Sequence, residues 1–154
     1  MHPYGRNHCF RAEAVHLALE EKARRVRVHS PAELRPFCEE LENRLRVLGY
    51  SAKDLFAVRL ALTEAAANAF RHGNRGDVSK SVHLSYLVTA AEVLMEVEDQ
   101  GKGFDPNQVP DPLTEENLVR PGGRGLFLMR AYMSWVSFNP QGNRVTLCRQ
   151  RSGP

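Results

Sequence analysis

Three short segments hold residues whose types and spacing could do chemistry. The first is Asp99-Gln100-Gly101-Lys102-Gly103, directly after the apolar run Val93-Leu94-Met95-Glu96-Val97. A carboxylate just past a strand end can accept a hydrogen bond from an amine. Glycines two apart let the backbone approach a flat ligand where a Cβ would clash. The second segment is Glu64-Ala65-Ala66-Ala67-Asn68, with His72-Gly73-Asn74 after it. Glu64 and Asn68 share one helix face, and His72 follows one turn later. On such a face an asparagine oxygen can complete the shell of a Mg2+ ion whose other ligands are phosphate oxygens and water. A neighbouring glutamate can take a proton from an attacking water or hydroxyl. The third segment is Gly122-Gly123-Arg124-Gly125-Leu126. Glycines ahead of a helix free backbone N–H groups to point at phosphate, the helix N-terminus adds partial positive charge, and Arg124 can pair with a phosphate. No Gly-Lys-Ser/Thr follows, so this is not a Walker A loop. Taken singly, each segment also reads as an ordinary turn, a solvated helix face or a flexible loop.

These residues need elements to hold them. Arg25-Val26-Arg27-Val28-His29 alternates charge and valine, the period of a strand with one covered face. Ser30-Pro31-Ala32-Glu33 reads as a helix start, with Ser30 as N-cap, proline at the first helical position and glutamate three residues after the cap. Leu34, Phe37, Cys38, Leu41, Leu45 and Leu48 continue at helical spacing, and Gly49 ends that helix. A second helix opens at Ser51 and buries Leu55, Val58, Leu62, Ala65 and Ala69, its small residues allowing close packing. Residues 81–89 and 92–98 read as strands, 105–124 as a long proline-rich loop suited to a lid, 125–133 as a helix, and 134–139 and 143–150 as strands. Residues 1–24 form an N-terminal extension, partly disordered or helical, ahead of one domain over 25–150. Paired strands with grouped helices predict an α+β two-layer sandwich: a mixed, mostly antiparallel sheet with helices on one face. The strand at 25–29 could lie at a sheet edge and pair with a second copy, giving a homodimer.

Composition narrows the function classes. The chain has 154 residues, enough for one domain with a real core. Its net charge of +3 is small and dispersed, which argues against direct binding of nucleic acid. Cys9, Cys38 and Cys148 are odd in number and lack Cys-x-x-Cys spacing, so neither a disulfide framework nor a zinc site is expected. A reducing compartment fits that usage. The first residues lack the apolar core of a signal peptide, and no apolar run reaches membrane-spanning length. The expectation is a cytoplasmic protein with no membrane contact.

Glu64-x-x-x-Asn68, Asp99-x-Gly101-x-Gly103 and Gly123-x-Gly125-Leu126 resemble the N, G1 and G2 boxes of the Bergerat-fold ATPases. That superfamily contains gyrase, the heat-shock 90 chaperones, mismatch-repair ATPases and histidine kinases. Within it the chain most resembles the small anti-sigma factor serine kinases, on the stretch from Leu60 to Asn74 and over about residues 25–150. The resemblance implies ATP and Mg2+ as cofactors. It implies that Asp99 binds the adenine amino group, with Gly101 and Gly103 beside it, and that Asn68 holds Mg2+. It adds His72 and the run Gly122, Gly123, Arg124, Gly125 and Leu126 to the nucleotide site. Glu64 becomes the base acting on a serine or threonine hydroxyl. The implied protein substrate is an anti-anti-sigma protein of STAS type, and the second partner a sigma factor. The chain departs from the family in one place: Gly142-Asn143-Arg144-Val145 stands where a Gly-Thr-Thr run is common, and Thr146 lies on the strand itself. Two other functions fit the same boxes. One is a non-catalytic ATP- or ADP-dependent partner-switching module. The other is a detached histidine-kinase ATPase domain, against which Glu64 argues, since a phosphoacceptor imidazole needs no carboxylate base.

Overall fold

The computed structural model describes residues 6–106 and 124–153, with side chains from residue 11 onward. Five strands form one sheet: β1 (Arg24–Val28), β2 (Val82–Val88), β3 (Glu92–Glu98), β4 (Trp135–Phe138) and β5 (Arg144–Gln150). Their order is β1-β2-β3-β5-β4, and every neighbouring pair is antiparallel rather than mixed. The strand β1 is at one edge, where the sequence places it. Arg24, Arg25 and Arg27 charge that edge and disfavour indiscriminate pairing.

Helices α2 (Leu34–Val47), α3 (Ala52–Asn68) and α4 (Arg124–Tyr132) pack on one face of the sheet. Strand alternation sends Val28, Leu84, Tyr86, Met95, Val97, Val145 and Leu147 to that face, where they meet Phe37, Leu41, Leu45, Val58, Leu62, Met129 and Met133. The alanines of α3 do what their size suggests. Ala57, Ala61, Ala65 and Ala66 are buried, and α3 lies against both α2 and α4. One buried ion pair ties this layer to the sheet. Asp54, at the start of α3, is fully buried and meets the Arg149 guanidinium at 2.9 Å and the Ser152 hydroxyl at 2.6 Å. Burial pushes its carboxyl up, but the Ser152 hydroxyl and N–H and the Arg149 guanidinium outweigh that and bring its pKa to about 2.

The N-terminal extension is a helix, α1 (Arg6–Lys22), and it covers the opposite face of the sheet. Leu19 packs there with Leu94, Trp135 and Cys148, flanked by Ala12, Val15 and Ala23. His16 Nδ1 lies 2.8 Å from Glu96 Oε1, and the Arg25 guanidinium donates to the Leu19 carbonyl near the end of the helix. The helices therefore occupy both faces: three form the domain's own layer, and one covers the back. Cys38 and Cys148 are free and buried, as their composition suggests.

The helix start at Ser30 differs from the sequence reading. Pro31–Glu33 is a single 3-10 turn, Ser30 makes no side-chain cap, and Glu33 instead accepts the His29 N–H at 2.9 Å. Ser51 caps as its position suggests, accepting the Asp54 N–H. The proline-rich segment 105–124 falls largely outside the described residues, as do Gly122 and Gly123.

Candidate functional site

Helix α3 does not end where its apolar pattern ends. After Asn68 the chain tightens into one π-helical turn, Ala69–Gly73, and Asn74 N–H bonds back to the Ala69 carbonyl at 2.8 Å. Asn68 is the last α-helical residue before this turn, still at helical dihedrals (φ −62°, ψ −42°). The chain then reverses through left-handed Arg75 (φ 53°) and Gly76 (φ 73°). Asn74 fixes this reversal. It is buried, its Nδ2 donates to the Ser81 carbonyl at 3.0 Å, and its Oδ1 accepts the Gln100 N–H at 2.8 Å. Gln100 Oε1 in turn accepts the Ser81 N–H at 2.7 Å. This closed ring holds the end of α3 beside the loop that follows β3.

The ring brings Gly73 against Asp99. A Cβ on Gly73 would run into the Asp99 carboxylate, and one on Gly101 into the Gly73 carbonyl. Only glycine permits either approach. Asp99 Oδ1 accepts the Gly101 N–H at 2.7 Å. Among the described residues its second oxygen takes no hydrogen bond. Burial pushes the Asp99 carboxyl up, the Gly101 N–H opposes this, and the net direction is upward. A half-buried carboxylate that lines a cleft, with one oxygen committed and the other without a hydrogen bond among the described residues, is an acceptor available to a donor.

That cleft has a volume of about 340 Å3. Its walls include Ala65, Asn68, Ala69, His72 and Gly73 from the end of α3, Leu126 and Met129 from α4, and Asp99, Gly103 and Phe104 from the β3 loop. The far wall comes from Phe138, Gly142, Asn143, Arg144 and Val145. Apolar walls with a few convergent polar groups suit a flat, partly polar ligand. Phe104 and Phe138 meet edge to face at 5.2 Å on one side, offering an aromatic border. Arg75 and Lys102 supply positive charge to its lining, and His72 adds an imidazole.

Of the residues the sequence singles out, Asn68, His72, Asp99, Gly103 and Leu126 share this cleft, and Gly101 buttresses Asp99. Glu64 is not in the cleft wall but adjoins it. A Cβ on Gly125 would lie 2.9 Å from Glu64 Oε2 and 3.2 Å from Asn68 Nδ2. Both polar side chains therefore converge on the first turn of α4, and Gly125 leaves room for them. Arg124, the first residue of α4, has an exposed side chain. Gly73, Asn74, Lys102 and Asn143 fall within the sequence motifs without being given a role there, and Arg75, Phe104 and Phe138 are given none. The Asn-Gly punctuation around 73–76 and the Asn139-Pro140 turn were the available signals, but neither shows which side of the sheet it faces. Thr146 and the Arg144 side chain face the back of the sheet, where Thr146 bonds Glu96 Oε2 at 3.3 Å and Arg144 reaches Glu98 at 3.5 Å.

The site can receive an amine-bearing ring at Asp99 and phosphates toward Asn68 and the start of α4. Among the described residues no group of three or more His, Cys, Asp or Glu side chains could hold a metal by itself. A hard cation here would take Asn68 and borrow the rest of its shell from phosphate and water, which suits Mg2+.

An antiparallel sheet backed by helices, with a polar pair on one helix converging on the first turn of another beside an apolar cleft, fits an ATP-binding domain of the histidine-kinase type. The histidine kinase-like ATPase domain model matches residues 27–149. The chain belongs to that family. It is similar to the serine/threonine-protein kinase BtrW of Bordetella bronchiseptica, with 32% identity over 64% of this chain and 72% of that protein. It is also similar to the serine-protein kinases RsbW of Oceanobacillus iheyensis (26% identity, 61% of this chain, 63% of that protein) and Bacillus subtilis (28% identity, 69% and 71%). Among the described residues no helix is long and apolar enough to cross a membrane.

Proposed function

We propose that this protein is an ATP-dependent protein serine/threonine kinase of a partner switch, with an anti-anti-sigma protein of STAS type as substrate and a sigma factor as the partner it sequesters. The observation that carries this reading is the convergence of Glu64 and Asn68 on Gly125, next to a cleft that Asp99 also lines. Similarity to proteins named serine kinases supports the chemistry. Bound ATP with Mg2+ would supply the phosphoryl group. Asp99 accepts a hydrogen bond from the base amino group through its free oxygen. Asn68 contributes an oxygen to the metal's shell. His72 lines the cleft beside Asn68, Arg124 adds positive charge near the phosphates, and Gly125 and Leu126 belong to the helix start that faces them, while Gly122 and Gly123, which the sequence adds to this loop, lie outside the described residues. Glu64 would take the proton from the partner's serine hydroxyl as that oxygen attacks the γ-phosphorus and the bond to the β-phosphate oxygen breaks, releasing ADP, a role for which a positioned carboxylate is worth about 10²–10⁴-fold.

The test is a transfer assay with labelled ATP and serine-bearing STAS proteins from the same genome. Glu64→Gln should keep nucleotide binding and lose transfer by about that factor of 10²–10⁴. Unchanged transfer would remove Glu64 as the base. A protein that binds ATP and a partner but transfers phosphate to none would be a nucleotide-dependent switch without kinase activity.

A further inference from the structure

We propose that Asn139 and Asn143 are positioning residues that aim Asp99 at the base and thereby set the base selectivity of the cleft. This rests on the reading of Asp99 as the carboxylate that meets the base amino group. The β3–β5 ladder ends at the Glu98–Arg144 pair; one step beyond it the Asp99 N–H still meets the Asn143 carbonyl, but the Asn143 N–H turns to Asn139 instead, so the Asp99 carbonyl needs a side-chain donor.

The turn joining β4 to β5 supplies that support. Asn139 Oδ1 accepts three backbone N–H groups, from Gly142 at 2.9 Å and from Asn143 and Arg144 at 3.0 Å each. One side chain thus freezes the whole turn. Its Nδ2 donates to Asn143 Oδ1 at 2.7 Å, which orients the second amide. Asn143 Nδ2 then donates to the Asp99 carbonyl at 3.2 Å, while the Asn143 carbonyl accepts the Asp99 N–H at 2.9 Å. Both backbone polar groups of Asp99 are held by one residue. Gly103 and Gly142 let the loop and the turn touch along their length. A Cβ on Gly103 would meet the Gln141 carbonyl, and one on Gly142 the Phe104 backbone. With its backbone held and Oδ1 tied to Gly101, the Asp99 side chain is restrained at both ends of its short stem, which limits where its second oxygen can be presented. A preoriented acceptor discriminates between bases because a misdirected one leaves polar groups unpaired.

Calorimetry on the whole protein with ADP and with IDP, whose base carries oxygen in place of the 6-amino group, tests this. Wild type should prefer ADP. Asn143→Ala should lower ADP affinity about tenfold, the scale of one well-placed hydrogen bond, and leave IDP affinity nearly unchanged, so the preference collapses. Asn143→Asp keeps the shape and the acceptor for Asn139 but cannot donate to Asp99, and should lose the same preference if the alanine variant does not fold. Asn139→Ala should behave like Asn143→Ala, whereas Asn139→Asp keeps an oxygen for the three N–H groups and should recover part of the preference. In an Asp99→Asn background, Asn143→Ala should add nothing, since both act through one contact. Equal losses of ADP and IDP in folded Asn143 variants, or additive losses in the Asp99→Asn background, would overturn the inference and leave the asparagines a purely structural role. A wild type that binds both nucleotides equally, or neither, would instead sink the assignment of Asp99, and this inference with it.

Discussion

Replacing Asp99 by asparagine separates function from stability in a way that few substitutions would. The side chain keeps its size, and Oδ1 can still accept the Gly101 N–H at 2.7 Å. What changes is the second oxygen, which takes no hydrogen bond among the described residues. It becomes an NH2 group, a donor set against the donor of a base amino group. The lost interaction is a hydrogen bond to a charged acceptor, worth about 1.5–3 kcal/mol, so ADP affinity should fall by about 10- to 150-fold. Stability should move the other way. Burial first, and then the charge of Glu98, hold the Asp99 carboxyl above its ordinary range. A carboxyl whose folded pKa is raised favours the folded state in its protonated form. That contribution is complete at low pH and is lost as pH rises through the raised pKa. At pH 7 the charged Asp99 therefore costs stability, and the amide does not. The free mutant should melt at the same temperature as wild type or higher at pH 7, and the difference should shrink as the buffer is acidified below the raised pKa. Calorimetric titration with ADP and thermal melts at both pH values measure the two effects. Wild-type ADP affinity in the mutant, or a clear fall in its melting temperature at pH 7, would refute the placement of a strained, ligand-seeking carboxylate at this position.

Other substitutions probe the neighbouring parts. Gly125→Ala places a methyl group 2.9 Å from Glu64 Oε2 and 3.2 Å from Asn68 Nδ2, so it should disrupt magnesium-dependent ATP binding and transfer while circular dichroism stays unchanged. Asp54→Ala removes a buried carboxylate and leaves Arg149 without its charged partner, which should cost about 3–5 kcal/mol in urea unfolding. Because the Asp54 pKa is depressed to about 2, its contribution is present at neutral pH and is lost as pH falls through that value. Wild-type melts should therefore weaken toward pH 2, and the Asp54→Ala protein should lose less there.

Much of the fold is legible because its signals are local. Alternation in β2, β3 and β5 reports which side chains face the helices, and the alanine stripe of α3 reports a closely packed helix. The back of the sheet is less readable. Glu96 and Thr146 lie among Leu94 and Cys148 on that face, so its alternation looks half polar and hides the fact that α1 covers it. Residues 11–23 are rich in Ala, Glu and Leu but carry no strong stripe, and whether they fold depends on Leu19 finding Leu94 and Trp135, a contact far away in sequence. The turn chemistry at Ser30 also misled. The serine lies in the right place, but the 3-10 start leaves Glu33 to serve the backbone instead.

For the site, the sequence by itself determined the identities that chemistry requires. Glu64 and Asn68 share a helix face because the helical period is a property of the chain alone. Asp99 follows a strand because the apolar run before it ends there. The tertiary structure decided how these parts meet. Gly73 touches Asp99 only because the Asn74–Ser81–Gln100 ring closes across two elements. Asn143 holds Asp99 only because β5 pairs with β3, a neighbour relation set by the sheet order β1-β2-β3-β5-β4. Gly125 reaches Glu64 only because α4 packs on α3. Spacing along a helix or strand is fixed by backbone geometry within a few residues. Which distant segments become neighbours is fixed by the packing of the whole core, and no local pattern encodes that.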